Sequence, residues 1–309
     1  MTSKISRDFL CLLLTSVALT ASGAAAAPAP GERCATRLSA TLLGQSASAT
    51  LLASASPQIS VDALLADPLF IDRFARFINA TFNSVPGTIP AEDASYYLTK
   101  YILANNRPWQ ELFLGQYRVD AGASPSADAV VVADPSGLGY FRSPAWMQRY
   151  AGNELSGYRI VAGYRMINNV LGVKLKAALD TTGVNAEGRK APACAGCHYN
   201  VTFGLDLAAK VLSKRVGKPP NATFSPPTEG PQTLLDGQVI RGDQELVTAM
   251  VNSIDFRYRA CRLAFLFLYG RAEFSSEAAT FNGCLVAFQT TGTIQAALAS
   301  VAKDPAFCQ

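Results

Sequence analysis

Apolar side chains recur every three or four residues in several stretches of the chain, which is the spacing of an α-helix. The clearest stretch covers residues 68–82, where Asp67 and Pro68 form a typical helix start. Another helix is predicted to begin at Asp243, with acidic and amide side chains in its first turn. The remaining predicted helices cover residues 91–104, 109–114, 156–179, 205–212, 257–269, 277–289 and 294–302.

Three stretches lack this spacing. Residues 28–59 are weakly patterned, whereas residues 115–140 and 216–231 are rich in Gly, Ser, Ala or Pro and are predicted as loops. The one strand that the pattern favours is the Val-Val-Val run at residues 130–132. The sequence therefore predicts a mainly α fold with few short strands.

The N-terminus has the pattern of a secretory signal peptide. Lys4 and Arg7 precede an apolar run at residues 9–19, and the small residues at 21–27 suit cleavage after Ala27. The apolar run is too short to span a bilayer, and no later segment has eighteen uninterrupted apolar residues. We expect an exported, periplasmic protein whose mature chain has no transmembrane anchor; the alternative for this segment is a buried N-terminal helix.

The amino-acid composition argues against two classes of protein. Of 309 residues, 49% are apolar and 16% are charged, which argues against a disordered chain. The net charge of +4 comes without a dense run of Lys and Arg, so the electrostatic footprint of a nucleic-acid-binding protein is missing.

A single histidine, His198, limits the chemistry further. Centres with several histidine ligands, including a haem held by two histidines of one chain, are excluded. Any His-dependent catalysis would have to use this same residue.

His198 ends the run Cys194-Ala-Gly-Cys197-His198, which is the C-x-x-C-H pattern of covalent c-type haem attachment. In that chemistry two thioethers tether the porphyrin and the adjacent imidazole binds iron. The sequence predicts haem c as the cofactor, attached through Cys194 and Cys197, with His198 as the proximal iron ligand. A thioredoxin-like redox pair would need a βαβ context, and a zinc site would need a fourth ligand; the sequence supplies neither in recognisable form.

Four cysteines remain in the mature chain, an even number that fits two disulfides in an oxidising compartment. Cys261 and Cys284 lie on successive predicted helices and could join a helical hairpin. Cys34 and Cys308 would then connect the two ends of the chain. Sequence alone allows three pairings of four cysteines.

Several segments carry a family resemblance. They are residues 64–77, 106–113, 192–198 (PACAGCH), 204–207 (GLDL), 235–246 and 259–271. The chain resembles the planctomycete- and myxobacterial-type c-type cytochrome family, in which a haem-bearing C-x-x-C-H module is flanked by domains of unknown function. It departs from that family at Thr202 and Phe203, where members usually have Asp-Pro. The resemblance implies an exported haem protein with a helical, cytochrome c-like module, and it supplies no substrate.

The predicted organisation follows from the signal peptide, the haem motif and the helical pattern. It comprises a signal peptide (1–27), a helical N-terminal region (28–185) and a c-type haem module with a C-terminal helical hairpin (186–309).

The sixth iron ligand decides between two classes of function. Met250, 52 residues after His198, and Met147 are candidate distal ligands, whereas Met166 lies in the middle of a predicted helix. Met250 could equally fill the core. A Met ligand favours an electron carrier whose partner is a redox protein or a small-molecule electron donor or acceptor. An open site favours a haem enzyme, peroxidase- or oxygenase-like, although its usual distal histidine is missing. A structural haem in a binding module is a third alternative.

Basic residues flank the haem motif. They are Arg189, Lys190, Lys210, Lys214, Arg215 and Lys218. They form either a docking patch for a redox partner or an ordinary solvated rim.

Overall fold

The computed structural model describes residues 28–83, 85, 87–150, 160–175, 185, 187–200, 202–216 and 223–309. The predicted signal peptide lies outside these ranges. The described residues form a mainly α fold, as predicted, with fourteen α-helices and three two-stranded antiparallel sheets.

The helices before residue 151 are α1 (Pro30–Leu42), α2 (Ala49–Leu52), α3 (Val61–Ala66), α4 (Pro68–Phe82), α5 (Ala94–Ala104), α6 (Glu111–Leu114) and α7 (Pro144–Tyr150). The later helices are α8 (Ile160–Leu171), α9 (Pro192–His198), α10 (Leu205–Val211), α11 (Asp243–Val251), α12 (Ile254–Tyr269), α13 (Ala278–Thr291) and α14 (Ile294–Ala302). The sheets pair β1 (Tyr117–Asp120) with β2 (Val130–Ala133), β3 (Lys214–Val216) with β4 (Thr223–Ser225), and β5 (Gln232–Leu234) with β6 (Gln238–Ile240).

Helix α4 is confirmed at its predicted bounds, and its sequence explains it. The Asp67 carboxylate accepts a hydrogen bond from the Leu69 backbone N–H at 2.8 Å, and Pro68 fits the first turn because it needs no donor there. One face of the helix is buried. The ring of Phe74 on this face lies 5.0 Å from that of Phe267 in α12, edge to face. This contact joins α4 to the C-terminal helices.

One hydrophobic cluster runs through the described chain from Cys34 to Phe307. Helices α12, α13 and α14 pack on one another, and α14 also packs on α3 near the start of the chain. The packing therefore crosses the boundary at residues 185 and 186 that we drew from the sequence, and the N-terminal helices share their core with the helices that follow the haem motif.

Two disulfides reinforce this arrangement. Cys261 in α12 bonds Cys284 in α13, and Cys34 in α1 bonds Cys308 near the other end of the chain. These are the two pairs that we favoured among the three pairings open to the sequence. Disulfides of this kind persist in oxidising compartments, so they are compatible with export. In the described part of the chain, no helix is both long enough and apolar enough to cross a membrane.

Several element boundaries predicted from the sequence are wrong. The helix expected over 156–179 ends at Leu171, because Gly172 takes a left-handed conformation with φ +77°; its predicted start lies outside the described residues. The helix expected to reach residue 212 ends one residue earlier, at Val211. The stretch 28–59, which we took as weakly patterned, contains α1 and α2, and the buried residues Cys34, Leu38 and Leu42 recur every four positions along α1.

Most strands also escaped prediction. Strand β4 lies inside the segment 216–231 that we took for a loop, and β5 and β6 flank a turn at residues 235–237. Strands of three residues are too short to display an alternating pattern. Only β2, at the Val-Val-Val run, carries the predicted strand.

A surface ion pair between α12 and α13 gives a pH prediction. The Glu277 carboxylate accepts two hydrogen bonds from Arg271, both at 2.7 Å, and one from the Phe274 backbone N–H at 2.8 Å. The hydrogen bonds from Arg271 lower the pKa of Glu277 from 4.5 to about 2. Because the folded-state pKa lies below the unfolded value, the pair stabilises the fold above about pH 4.5, and this contribution is lost as the pH falls towards 2.

We expect Glu277→Gln to lower the Tm by about 2 °C at pH 7, and we expect its difference from wild type to vanish near pH 2. Thermal unfolding followed by circular dichroism across this pH range measures the effect. Glu32→Gln is the matched control, since Glu32 is exposed and belongs to none of the ion pairs found among the described residues. A Tm difference for Glu277→Gln that is equal at pH 2 and pH 7 would contradict the assignment.

Candidate haem site

The C-x-x-C-H motif forms the short helix α9. Pro192 stands in its first turn, where proline is well tolerated. Cys197 and His198 lie three and four residues after Cys194, so both lie on the same side of the helix as Cys194. None of them belongs to the core, and both cysteines are free of disulfides. Helix α9 packs mainly against α10 and a 3-10 turn at Gly188–Lys190, and the two cysteines and His198 are half-buried.

The side chain that holds His198 was missed by the sequence reasoning. His198 Nδ1 lies 2.7 Å from Asp206 Oδ2, and the Asp206 side chain is completely buried. Asp206 is the second residue of α10. An aspartate at this position normally indicates only a favourable charge near a helix N-terminus, so nothing in the sequence pointed specifically to contact with the histidine.

Gly204 makes this contact sterically feasible. Its φ of +34° lies in the left-handed region, and it is the residue immediately before α10. A Cβ atom here would lie 2.7 Å from the Asn200 backbone carbonyl oxygen and 2.9 Å from the Leu234 side chain. Glycine therefore permits the tight connection between α9 and α10 that places Asp206 beside His198.

Arg189 is the third side chain of the site, and it precedes the C-x-x-C-H motif in the sequence, whereas Asp206 follows it. Its Nε lies 3.1 Å from Asp206 Oδ1 and 3.0 Å from Oδ2, and its Nη2 lies 2.8 Å from Oδ1. Only 13% of the Arg189 side chain is exposed. A guanidinium has donors only, so both Asp206 oxygens act as hydrogen-bond acceptors towards it. The site is thus a row of three polar side chains in the order Arg189, Asp206 and His198.

Tyr199 contributes a weaker contact. Its hydroxyl donates to Asp206 Oδ1 at 3.3 Å. Burial and the neighbouring Asp206 charge raise the pKa of Tyr199 above its ordinary value of 10. The tyrosine therefore stays protonated and remains a hydrogen-bond donor at neutral pH.

This row determines which imidazole nitrogen is available. An ionised carboxylate only accepts hydrogen bonds, so His198 Nδ1 is the donor and the neutral ring carries its lone pair on Nε2. No protein hydrogen bond to Nε2 occurs within the described ranges. A histidine that is held at Nδ1 by a carboxylate and offers Nε2 is the usual arrangement of a metal-ligating histidine and its supporting residue.

The donor set fits a covalently attached haem. Two free thiols and one imidazole lie half-buried on one helix face, and the imidazole is already fixed at its other nitrogen. Among the described residues, no group of three or more His, Cys, Asp and Glu side chains is arranged to hold a metal ion. A c-type haem does not need such a group, because the porphyrin supplies four of the iron's ligands.

Comparison of the chain with models of known protein families, with curated proteins and with solved structures gives no match.

The two candidate distal ligands lie in the hydrophobic core. Met250 in α11 is completely buried, and Met147 in α7 is 5% exposed. Met166 in α8 is 3% exposed and belongs to the same cluster. Such positions are typical of core-filling methionines, and a role for Met250 or Met147 at iron stays a prediction.

The basic flank of the motif is largely paired. Arg189 points inwards to Asp206 instead of forming part of a solvated rim. The other pairs are Lys190 Nζ with Glu187 at 2.7 Å, Lys210 Nζ with Glu229 at 3.5 Å, and Lys214 Nζ with Thr228 at 2.6 Å. Lys218 and the side chain of Arg215 lie outside the described residues. These partners weaken the case for a strongly positive docking patch.

A cavity of about 1250 Å³ lies away from α9. Ion pairs line it, among them Arg142 with Asp243 at 2.7 Å and Arg118 with Asp120 at 2.6 Å. It reaches Ser213, just beyond the end of α10, and includes no residue of α9.

Proposed function

We propose that this chain is an exported monohaem c-type cytochrome whose main role is electron transfer. Haem c would be attached through Cys194 and Cys197, and His198 would be the proximal iron ligand. One observation carries the proposal: these three side chains share a helix face, and a buried carboxylate holds His198 Nδ1 so that Nε2 is left for iron.

The chain's own residues have distinct parts in this function. The cysteine thiols would hold the porphyrin beside α9. His198 would offer its Nε2 lone pair to the iron, and Asp206 and Arg189 keep the ring in one orientation and tautomer. When bound, the haem supplies a one-electron couple between ferric and ferrous iron.

Location in the periplasm is part of the proposal. Its support is the signal-peptide pattern before Ala27 and the two disulfides, which suit an oxidising compartment. The electron donor or acceptor would be a redox protein or a small molecule. The paired lysines of the flank favour a partner that does not depend on strong charge attraction.

A haem enzyme with an open distal site is the second candidate. Its support is the burial of all three methionines of the predicted mature chain in the core, which leaves no exposed thioether to complete the iron's coordination. The predicted mature chain also has no second histidine.

Absorption spectra of the purified holoprotein, oxidised and reduced, with and without carbon monoxide, test both candidates. The protein should be produced together with a cytochrome c maturation system. An electron carrier should give a six-coordinate, low-spin spectrum that carbon monoxide does not change. A five-coordinate ferrous form that binds carbon monoxide would reject the carrier and favour the enzyme. Absence of covalent haem would reject both.

A further inference from the structure

We infer that Asp206, through its hydrogen bond with His198, holds the haem iron at a low reduction potential. The inference rests on the proposed function and extends it. It assigns Asp206 as a positioning residue that changes the electronic character of the iron ligand without touching the iron.

The contact between His198 and Asp206 is a short hydrogen bond. The 2.7 Å separation of Nδ1 and Oδ2 is typical of a charge-assisted hydrogen bond, which is about twice as strong as a neutral one. The carboxylate is completely buried, so water does not screen it from the imidazole. A backbone carbonyl in the same place would also orient the ring, but it would carry no net charge.

The Asp206 carboxylate also changes the electronic character of His198 Nε2, the nitrogen that would bind iron. A carboxylate that accepts the Nδ1 proton increases the electron density of the ring and the basicity of Nε2. A more basic ligand stabilises ferric iron more than ferrous iron, because the ferric ion carries the larger charge. The negative charge of Asp206 acts in the same direction through space. Both effects lower the reduction potential.

Arg189 holds the Asp206 carboxylate in place. It contacts both carboxylate oxygens and, because a guanidinium only donates hydrogen bonds, it leaves them as acceptors for the imidazole. Arg189 thus fixes the acceptor on which the low potential depends.

The inference narrows the class of redox partner. A haem with a low reduction potential is a strong reductant in its ferrous form. The partner that reduces this protein must then be a strong one-electron donor, and the partner that it reduces can accept electrons at a comparatively low potential.

Asp206→Asn is the decisive substitution. Asparagine has almost the same shape and can still accept the Nδ1 proton through its side-chain oxygen, so the ring keeps its orientation while the negative charge is lost. Glu187→Gln is the matched control. It removes the same charge from a nearby residue, but Glu187 is 78% exposed and pairs with Lys190 instead of His198.

Redox titration of the two variant holoproteins measures the effect. We expect Asp206→Asn to shift the ferric–ferrous equilibrium towards ferrous iron by about tenfold or more, which is about 59 mV for a one-electron couple. We expect Glu187→Gln to shift it by less than about twofold, because solvent and salt screen an exposed charge. Equal shifts in the two variants would overturn the inference.

A second measurement needs no variant and no haem. Because His198 is the chain's only histidine, 15N labelling of histidine in the haem-free full chain gives a single imidazole spin system. At a pH at which the ring is neutral, long-range proton–nitrogen correlations should show its single proton on Nδ1. A neutral ring with its proton on Nε2 would overturn the pairing whether or not the protein binds haem.

Haem attachment and the reduction potential together distinguish a failure of the proposed function from a failure of this inference. If the wild-type protein takes up no covalent haem, the proposed function and this inference both fall. If it carries haem and its potential does not respond to Asp206→Asn beyond the control, the proposed function stands and only the inference is overturned.

Discussion

Replacement of both motif cysteines, Cys194→Ser with Cys197→Ser, is expected to abolish covalent haem attachment without unfolding the protein. Serine cannot form the thioether bonds, and neither side chain contributes to the core, so little packing is lost. Haem staining of a denaturing gel measures the attachment, and circular dichroism reports the fold. Each single variant keeps one thiol and should retain one thioether at most.

The control for this experiment is a pair of cysteines that form a disulfide and lie outside the motif. Cys261→Ser with Cys284→Ser removes a disulfide between α12 and α13 and should reduce stability by about 2–4 kcal/mol, while haem attachment persists. Haem that remains covalently bound to the Cys194→Ser/Cys197→Ser chain would disprove the assignment of the motif.

Asp206→Ala is expected to lower the free energy of unfolding by about 3–5 kcal/mol. The substitution leaves the guanidinium of Arg189, with only 13% of its side chain exposed, without its carboxylate partner. It also removes the acceptor of the His198 ring. Urea denaturation of the variant, compared with wild type, measures the loss.

A double variant shows whether the stability loss comes from breaking the ion pair or from any substitution at this site. Asp206→Leu combined with Arg189→Met replaces both charges by apolar side chains, and its stability should be closer to wild type than that of Asp206→Ala. Asp62→Ala is the exposed counterpart. Its 2.6 Å pair with Lys303 leaves Asp62 70% exposed, so the loss should stay below about 1 kcal/mol. Equal losses for Asp62→Ala and Asp206→Ala would disprove the role of burial.

Local signals account for the parts of the fold that the sequence predicted well. Helix α4 has a capping aspartate, a proline at its start and a regular apolar face, so all the information lies within one segment. Helix α14 is similar, since the Thr293 hydroxyl accepts from the Ala296 backbone N–H at its start. The early end of α8 depended on the conformation of one glycine, Gly172, which its neighbours in the sequence do not determine.

In the candidate site, too, some residues could be predicted from local sequence and others could not. The haem motif was visible because its three ligand-bearing residues lie within five positions of one another. The supporting residues were not, because Arg189 and Asp206 are seventeen positions apart and meet only through the turn at Gly204. Arg189 was therefore grouped with the flanking surface charges, although in the fold it is the half-buried partner of Asp206.

The Cys34–Cys308 bridge gives the described chain the topology of a closed ring, since it links residues 274 positions apart. A single proteolytic cut between these cysteines would leave both fragments covalently joined. Such a nicked molecule would migrate as one species on a non-reducing gel and separate into two after reduction. In an environment that contains proteases, the bridge would let the protein keep its two halves together after damage that would dissociate an open chain.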